Sequence, residues 1–167
     1  MRKKLIIRLS NNLGNQMFMY AAAYAFSKKL DRELFVDEET AYQRNSIHEY
    51  NLDIFNFSSK IAPVNLKFLG SSGYLRRKIL KYLDNFKKKK NFYIEHKDLS
   101  KKTFFKKDAL SDNFRDFLFV EGHFETEKYF DDYDNDIKNE FTFKHTDTFK
   151  NNALYRDIKI LPLYVYV

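Results

Sequence analysis

A short buried strand, a polar loop and a strongly apolar helix follow one another near the start of the chain. Residues 5–9 have the pattern of a buried strand, residues 11–16 are mostly polar, and residues 17–26 are ten apolar residues in a row. The loop contains asparagine and glycine, which tolerate the positive φ of a tight strand-to-helix turn. Such a turn points backbone N–H groups and the positive end of a helix at whatever lies above the strand. The block therefore predicts a binding place for an anion, most often a phosphate.

The same block predicts an α/β fold with a parallel sheet. We predict a strand at residues 4–9, a helix at residues 16–30 and a strand at residues 34–36. This order implies parallel strands joined by a right-handed crossover. Further along, the pattern predicts a loop at 71–73, a helix at 74–86, a strand at 91–95, a buried strand at 117–120, and a helix that carries Phe130, Tyr133, Ile137 and Phe141.

Composition and charge narrow the classes of function. The chain has 167 residues, which suits one domain with its own core. It has no cysteine, so disulfides, thiolate metal sites and cysteine nucleophiles are excluded. The formal net charge of +7 favours an anionic partner, which is a nucleotide, a nucleic acid or an acidic lipid surface. The apolar run is shorter than the roughly 20 residues that span a bilayer and no secretion signal is visible, so we expect a cytoplasmic location.

The polar loop by itself has two interpretations. In the first, it is an ordinary turn in which Gly14 is left-handed and Asn15 caps the helix. In the second, the amides of Asn15 and Gln16 donate hydrogen bonds to phosphate oxygens or sugar hydroxyls. The loop lacks the glycine spacing of a dinucleotide fold and the lysine of a P-loop. The residues of the loop alone leave both interpretations open.

Three segments of the chain, in this order, resemble one family of glycosyltransferases. Residues 13–21 read Leu-Gly-Asn-Gln-Met-Phe-Met-Tyr-Ala, residues 50–55 read Tyr-Asn-Leu-Asp-Ile-Phe, and residues 121–130 read Glu-Gly-His-Phe-Glu-Thr-Glu-Lys-Tyr-Phe. These strings resemble the signature segments of glycosyltransferase family 11, the α-1,2-fucosyltransferases. The resemblance covers nearly the whole chain and corresponds to the N-terminal half of a typical member.

This resemblance implies a fold, a reaction and a set of contacts. It implies two Rossmann-like domains of the GT-B type and the inverting transfer of fucose from GDP-fucose to a galactoside, with no metal or other cofactor. It also implies that Gly14, Asn15 and Gln16 contact the donor nucleotide. His123 and Glu125 follow the carboxyl end of a buried strand, where ligands of open α/β sheets bind. In one interpretation they contact the galactoside or lipid-linked glycan acceptor and act in general-base catalysis, and in the other they are simple turn residues. The product would belong to a surface polysaccharide.

The chain also departs from the family pattern. Asn11 and Asn12 stand where a glycine pair is usual, and Met19 stands where glutamine is usual. The sequence has no His-x-Arg-Arg-x-Asp string, whose arginine in the family is thought to bind the donor diphosphate. Residues 1–157 are therefore predicted to be the N-terminal, acceptor-side domain, and residues 158–167 the start of a missing second half or an aberrant tail.

On this basis we expect a truncated and inactive α-1,2-fucosyltransferase. One alternative is a non-catalytic remnant that binds a nucleotide or a glycan. Another is a basic nucleic-acid-binding protein, which is disfavoured because no RNA or DNA module is recognisable.

Two charged stretches have competing interpretations. The acidic run at residues 131–136 could hold a divalent cation, but its helical spacing predicts carboxylates that face water. Residues 75–90 form a basic amphipathic helix with a narrow apolar stripe. That stripe could pack on the domain core, or it could adsorb to the anionic inner face of a membrane.

Overall fold

Five parallel strands form one sheet in the computed structural model, which describes residues 2–43, 47–95 and 113–144. The strands are β1 (Lys4–Arg8), β2 (Glu33–Asp37), β3 (Lys60–Ile61), β4 (Lys90–Ile94) and β5 (Phe114–Glu121). Their order across the sheet is β3-β2-β1-β5-β4, and every pair is parallel. The predicted α/β class with a Rossmann-like parallel sheet is confirmed.

Three α-helices occur within the described ranges: α1 (Leu13–Lys29), α2 (Gly70–Asp84) and α3 (Asp134–Glu140). The last predicted helix is shorter than its sequence pattern suggests. Phe130 lies between two 3₁₀ turns that precede α3, Tyr133 ends the second of these turns, and Phe141 follows the end of α3. The predicted tail at residues 158–167 lies outside the described residues.

The turn after β1 is built by two asparagines. Asn12 caps α1, because its Oδ1 accepts a hydrogen bond from the backbone N of Asn15 at 3.2 Å. Asn11 adopts the left-handed conformation with φ of 64°, whereas Gly14 lies inside the helix. The predictions that Gly14 is left-handed and that Asn15 caps the helix are therefore wrong. The helix begins at Leu13, three residues earlier than predicted, because the cap lies earlier.

Helix α1 is apolar on all sides because it is covered on nearly all sides. Every residue from Met19 to Ser27 is buried. One side of α1 lies on the sheet, and aromatic rings from later segments cover the rest. The ring of Tyr20 lies 5.6 Å from that of Phe141, and the ring of Phe26 lies 5.7 Å from that of Phe124. The core is therefore built around the central strand β1 and helix α1, which is covered on two sides as expected of a helix this apolar.

Helix α2 packs on the other face of the sheet. Phe119 points to that face, where its ring lies 5.2 Å from that of Phe92. Lys81 of α2 lies over the Phe92 ring, 5.4 Å from its centroid. The predicted loop at residues 71–73 is wrong, because these residues form the first turn of α2.

Gly73 allows α2 to lie close to the backbone of Phe68, just before the helix. A Cβ added at Gly73 would lie 2.3 Å from the carbonyl carbon of Phe68, which is backbone and cannot move aside cheaply. A Cβ added at Gly14, in the first turn of α1, would meet only Oδ1 of Asn12, at 3.8 Å. The two glycines therefore occupy similar positions in their helices but have different steric surroundings.

Replacing these two glycines by alanine should have different effects on stability. Gly73→Ala should lower the free energy of unfolding by about 1–3 kcal/mol, because the new methyl group forces the helix away from residue 68. Gly14→Ala should leave it unchanged or raise it by up to about 1 kcal/mol, because alanine favours the helix. Urea denaturation of both variants checks this expectation, and equal effects at the two positions would contradict it.

Candidate functional site

The loops that follow β1 and β5 meet at the carboxyl edge of the sheet. β1 and β5 are neighbours, and the strand order reverses between them, because β2 and β3 lie on one side and β4 on the other. Ligands of open parallel sheets bind outside the carboxyl ends of the strands at such a place. Here Nδ2 of Asn11 lies 3.4 Å from Nε2 of His123. The edge therefore joins the loop predicted for the donor to one of the residues predicted for the acceptor.

His123 and Glu125 lie next to each other on the β5 side of this edge. Nδ1 of His123 is 3.1 Å from Oε1 of Glu125, and both side chains are about half exposed. The imidazole therefore lies between a carboxylate and the amide of Asn11. A histidine oriented by a carboxylate is an arrangement that general bases use.

Glu95, directly after β4, holds the β5 loop in this position. Its Oε2 accepts hydrogen bonds from the backbone N atoms of His123 and Phe124, at 2.7 and 2.8 Å. Its Oε1 accepts a hydrogen bond from the hydroxyl of Tyr129 at 2.7 Å. The adjoining Gly122 has φ of 156°, and a Cβ there would lie 2.4 Å from the Cβ of Glu95. The position of His123 thus depends on a residue at the edge of the sheet that the sequence analysis did not single out.

On the β1 side, the three predicted donor contacts have different surroundings. Gly14 is exposed and Asn15 is half-buried at the start of α1. Gln16 is fully buried. Its Nε2 donates hydrogen bonds to the carbonyl oxygens of Asn11 and Glu49, at 2.8 and 2.7 Å, and its Oε1 accepts one from the backbone N of Asn51 at 2.9 Å. The Gln16 amide therefore ties two loops together, and Gly14 and Asn15 are the members of the trio that face outward.

Three cations surround one buried carboxylate below these loops. Glu121 ends β5 and is 5% exposed. Its Oε1 accepts a hydrogen bond from Nε of Arg77 at 2.7 Å, and its Oε2 one from Nζ of Lys81 at 2.6 Å. Arg8, the last residue of β1, places a guanidinium nitrogen 3.6 Å from Oε2. We call these four residues the Glu121 cluster.

The electrostatics of the Glu121 cluster keep its carboxylate charged. Burial by itself would raise the pKa of Glu121, but the Arg77 hydrogen bond and the neighbouring positive charges outweigh burial and lower the pKa to about 2. Burial lowers the pKa of Arg8 and of Lys81. Asp37, a buried neighbour of the cluster, accepts hydrogen bonds from the backbone N atoms of residues 39 and 40, and burial raises its pKa. The Glu121 cluster thus holds three cations and one carboxylate, and Asp37 places a second carboxylate near Arg8 and Arg77.

A cavity of about 150 Å³ opens next to the Glu121 cluster. Arg8 and Arg77 line it, together with Thr40, Gln43 and Tyr74. Nε of Arg8 is buried and has no hydrogen-bond partner among the described residues. The sequence analysis missed this basic cavity. The available signal was that Arg8 and Glu121 are charged residues at the carboxyl ends of two apolar strands.

The acidic run at residues 131–136 does not gather its carboxylates. Asp131, Asp132, Asp134 and Asp136 are all exposed, as the helical spacing predicts. Asp134 pairs with Lys138 one turn later, at 2.5 Å. Over the described ranges, no three histidine, aspartate or glutamate side chains are grouped as a metal site would require.

Comparison with known proteins finds no family model that matches this chain and no curated protein that matches it. Within residues 2–43, 47–95 and 113–144, none of the helices combines the length and the apolar character needed to cross a bilayer.

Removing the charge of Glu121 should destabilise the protein in a pH-dependent way. The folded-state pKa of about 2 lies below the ordinary value of 4.5, so the carboxylate stabilises the fold above pH 4.5 and loses this effect as the pH falls toward 2. The shift corresponds to about 3 kcal/mol at neutral pH. Glu121→Gln should therefore lower the free energy of unfolding by roughly this amount at pH 7. The difference from wild type should vanish near pH 2.

Urea denaturation between pH 7 and pH 2 measures both quantities. Glu127→Gln, at an exposed carboxylate on the first turn after β5, is the matched control and should change stability by less than about 0.5 kcal/mol. A Glu121→Gln deficit that persists unchanged at low pH would contradict the charge argument.

Truncating Gln16 should cost stability whether or not a ligand is present. Gln16→Ala removes three hydrogen bonds to backbone groups, including the acceptor of the Asn51 N–H, which should lower the free energy of unfolding by about 2–4 kcal/mol. Asn15→Ala, one residue earlier and half-buried, should change it by less than about 0.5 kcal/mol. If Gln16→Ala unfolded like wild type, its amide would not be the tie between the two loops.

Proposed function

We propose that this chain is the N-terminal, Rossmann-like domain of a GT-B glycosyltransferase of the α-1,2-fucosyltransferase type. One observation carries the proposal. The three segments that resemble the family are far apart in sequence, yet they meet at one edge of the sheet. Gln16 of the first segment accepts a hydrogen bond from the backbone of Asn51 in the second, and Asn11, just before the first, contacts His123 in the third.

The chemistry of an inverting transfer agrees with the groups at this edge. Such a reaction needs no nucleophile from the enzyme, but it needs the departing diphosphate stabilised and the acceptor hydroxyl aligned. Gly14 and Asn15 offer backbone and amide donors to the diphosphate of GDP-fucose. The excess positive charge of the Glu121 cluster favours the same anion. Gln16 acts by holding the loop in shape.

The acceptor lies on the β5 side of the edge in this proposal. His123 and Glu125 contact the hydroxyl groups of a galactoside or a lipid-linked glycan. The imidazole, oriented by Glu125 at 3.1 Å, accepts the proton of the attacking hydroxyl. No metal ion is required, because the diphosphate is stabilised by hydrogen-bond donors and cations of the protein.

This chain on its own should bind the nucleotide and transfer fucose slowly or not at all. The His-x-Arg-Arg-x-Asp string, which in the family supplies the arginine for the diphosphate, does not occur in the sequence. A bidentate arginine contributes more to phosphate binding than neutral amides do. An assay with GDP-fucose and a lactose-type acceptor measures the transfer, and turnover at ordinary enzymatic rates would contradict this expectation.

Calorimetry with GDP tests the binding half of the proposal. Wild type should bind GDP, and Gly14→Ala should weaken binding by about tenfold, because its methyl group fills the approach to the loop while the fold tolerates it. Asn11→Gly should also weaken binding, because glycine keeps the left-handed backbone but removes the amide next to His123. Asp31→Gly is the matched control, since Asp31 is also left-handed, with φ of 46°, and precedes β2 at the opposite edge.

Three outcomes separate the alternatives. No heat at millimolar GDP would overturn the nucleotide site and leave the loop with a structural role. If the chain binds GDP but does not bind an acceptor glycan, the result would favour a nucleotide-binding remnant. Binding of RNA or DNA that ignores GDP and falls steeply with salt would favour the nucleic-acid alternative.

A further inference from the structure

Helix α2 presents its apolar side chains to solvent instead of to the sheet. Leu75 is 58% exposed, Ile79 49%, Tyr82 64%, Leu83 41% and Phe86 74%. These residues recur at helical spacing, so they form one continuous stripe along α2 and the turn that follows it. We call this set the α2 stripe. The exposure of the α2 stripe excludes the interpretation in which the stripe packs on the core formed by the described residues.

The side of α2 that faces the sheet is polar, and its contacts explain the orientation of the helix. Arg77 and Lys81 point inward to Glu121. Asp84 is buried and accepts hydrogen bonds from the backbone N atoms of Asn91 and Phe92, at 2.6 and 2.9 Å. These three residues lie on one face of the helix, so together they prevent a rotation that would bury the stripe. The exposure of the stripe is thus imposed by strong polar contacts on the opposite face.

Cations border the α2 stripe. Lys78 lies beside it on the helix, and Lys88 and Lys89 follow Phe86; all three are exposed. Between residues 70 and 90 the only acidic residue is Asp84, which is buried. The outer surface of α2 therefore combines apolar side chains with positive charge and carries no exposed negative charge.

We propose that the α2 stripe is the surface by which this protein binds an anionic lipid bilayer. An interfacial helix places apolar side chains at the boundary between headgroups and acyl chains, while lysines at its border pair with anionic headgroups. A second copy of this chain is a poorer occupant, because symmetric pairing of two such faces brings their lysines together. The segments 96–112 and 145–167 of this chain are not favoured as occupants of the stripe either. Each carries more lysine and arginine than aspartate and glutamate, so its charge has the same sign as the lysines that border the stripe. The proposal does not depend on the glycosyltransferase function.

Vesicle sedimentation tests the proposal with the full chain and no nucleotide. The protein should sediment with vesicles that contain phosphatidylglycerol and remain in solution with pure phosphatidylcholine, and added salt should weaken the binding. Phe86→Ser should weaken it about tenfold by removing the most exposed apolar side chain of the stripe. Lys88→Gln should weaken it about fivefold by removing one charge.

Two variants outside the stripe serve as matched controls. Val64→Ser changes an apolar side chain that is 71% exposed next to β3, at the opposite edge of the sheet from β4. Lys128→Gln removes an exposed lysine from the turn after β5, which lies near α1. Both should bind the anionic vesicles like wild type. Urea denaturation of all four variants checks that each remains folded.

Three results would overturn the proposal. The first is equal sedimentation with neutral and anionic vesicles. The second is a loss of binding in the control variants as large as that in Phe86→Ser. The third is a stable dimer in light scattering that Phe86→Ser dissociates, with no binding to vesicles, since the occupant of the stripe would then be a second copy.

Discussion

The ion pairs of the Glu121 cluster determine which side of helix α2 faces the sheet and which side faces solvent. The carboxylate joins β5 to α2 through Arg77 and Lys81, and to β1 through Arg8. A buried carboxylate is stable only when it is well paired, so the cations cannot turn outward without a large loss. This requirement orients α2 and leaves its apolar residues in solvent. It also concentrates positive charge below the loops of the carboxyl edge.

Next to this cluster, the side chains of Gln16 and Glu95 hold the loops that follow β1 and β5. Gln16 is fully buried and donates hydrogen bonds to a backbone carbonyl of the β1 loop and to one of the loop at residue 49. Glu95 accepts two backbone N–H groups and a tyrosine hydroxyl from the β5 loop. The β5 loop is thus fixed by a side chain that follows β4, and the β1 loop by a side chain of its own that also reaches residues 49 and 51. Such positioning is what a site needs if its outward groups are to meet a ligand without a large cost of ordering.

The sequence predicted the parallel sheet and the identity of its long elements because their patterns are local. Ten apolar residues after a polar loop indicate a covered helix, and an apolar run such as residues 117–120 indicates a buried strand. Helix ends were predicted less well, since whether Asn12 or Asn15 caps α1 depends on one hydrogen bond. The inward and outward faces of α2 were not predictable, because the partner of Arg77 lies 44 residues away.

In the candidate site, too, residues with a local signal in the sequence could be predicted and residues that act through long-range contacts could not. His123 could be chosen from its place after a strand, and the structure brings it to Asn11. Glu95 could not be chosen, because nothing in its neighbourhood in the sequence shows that it bonds to residues 123 and 124. Arg8 is an intermediate case. The sequence shows that a charged residue ends an apolar strand, but it does not show the cavity that Arg8 lines.

The strand order has a consequence for how the protein is made. β5 is the last of the described strands along the chain, yet it lies between β1 and β4. On the ribosome, β1, β2 and β3 emerge before it, and until residue 121 is available β1 has an open edge. Arg77 and Lys81 have no Glu121 to pair with during the same interval. The described sheet therefore closes when β5 inserts between β1 and β4. During synthesis, the species most exposed to wrong pairing is a chain that already has β1 to β4 but not yet β5, because the central strand β1 then has an unpaired edge.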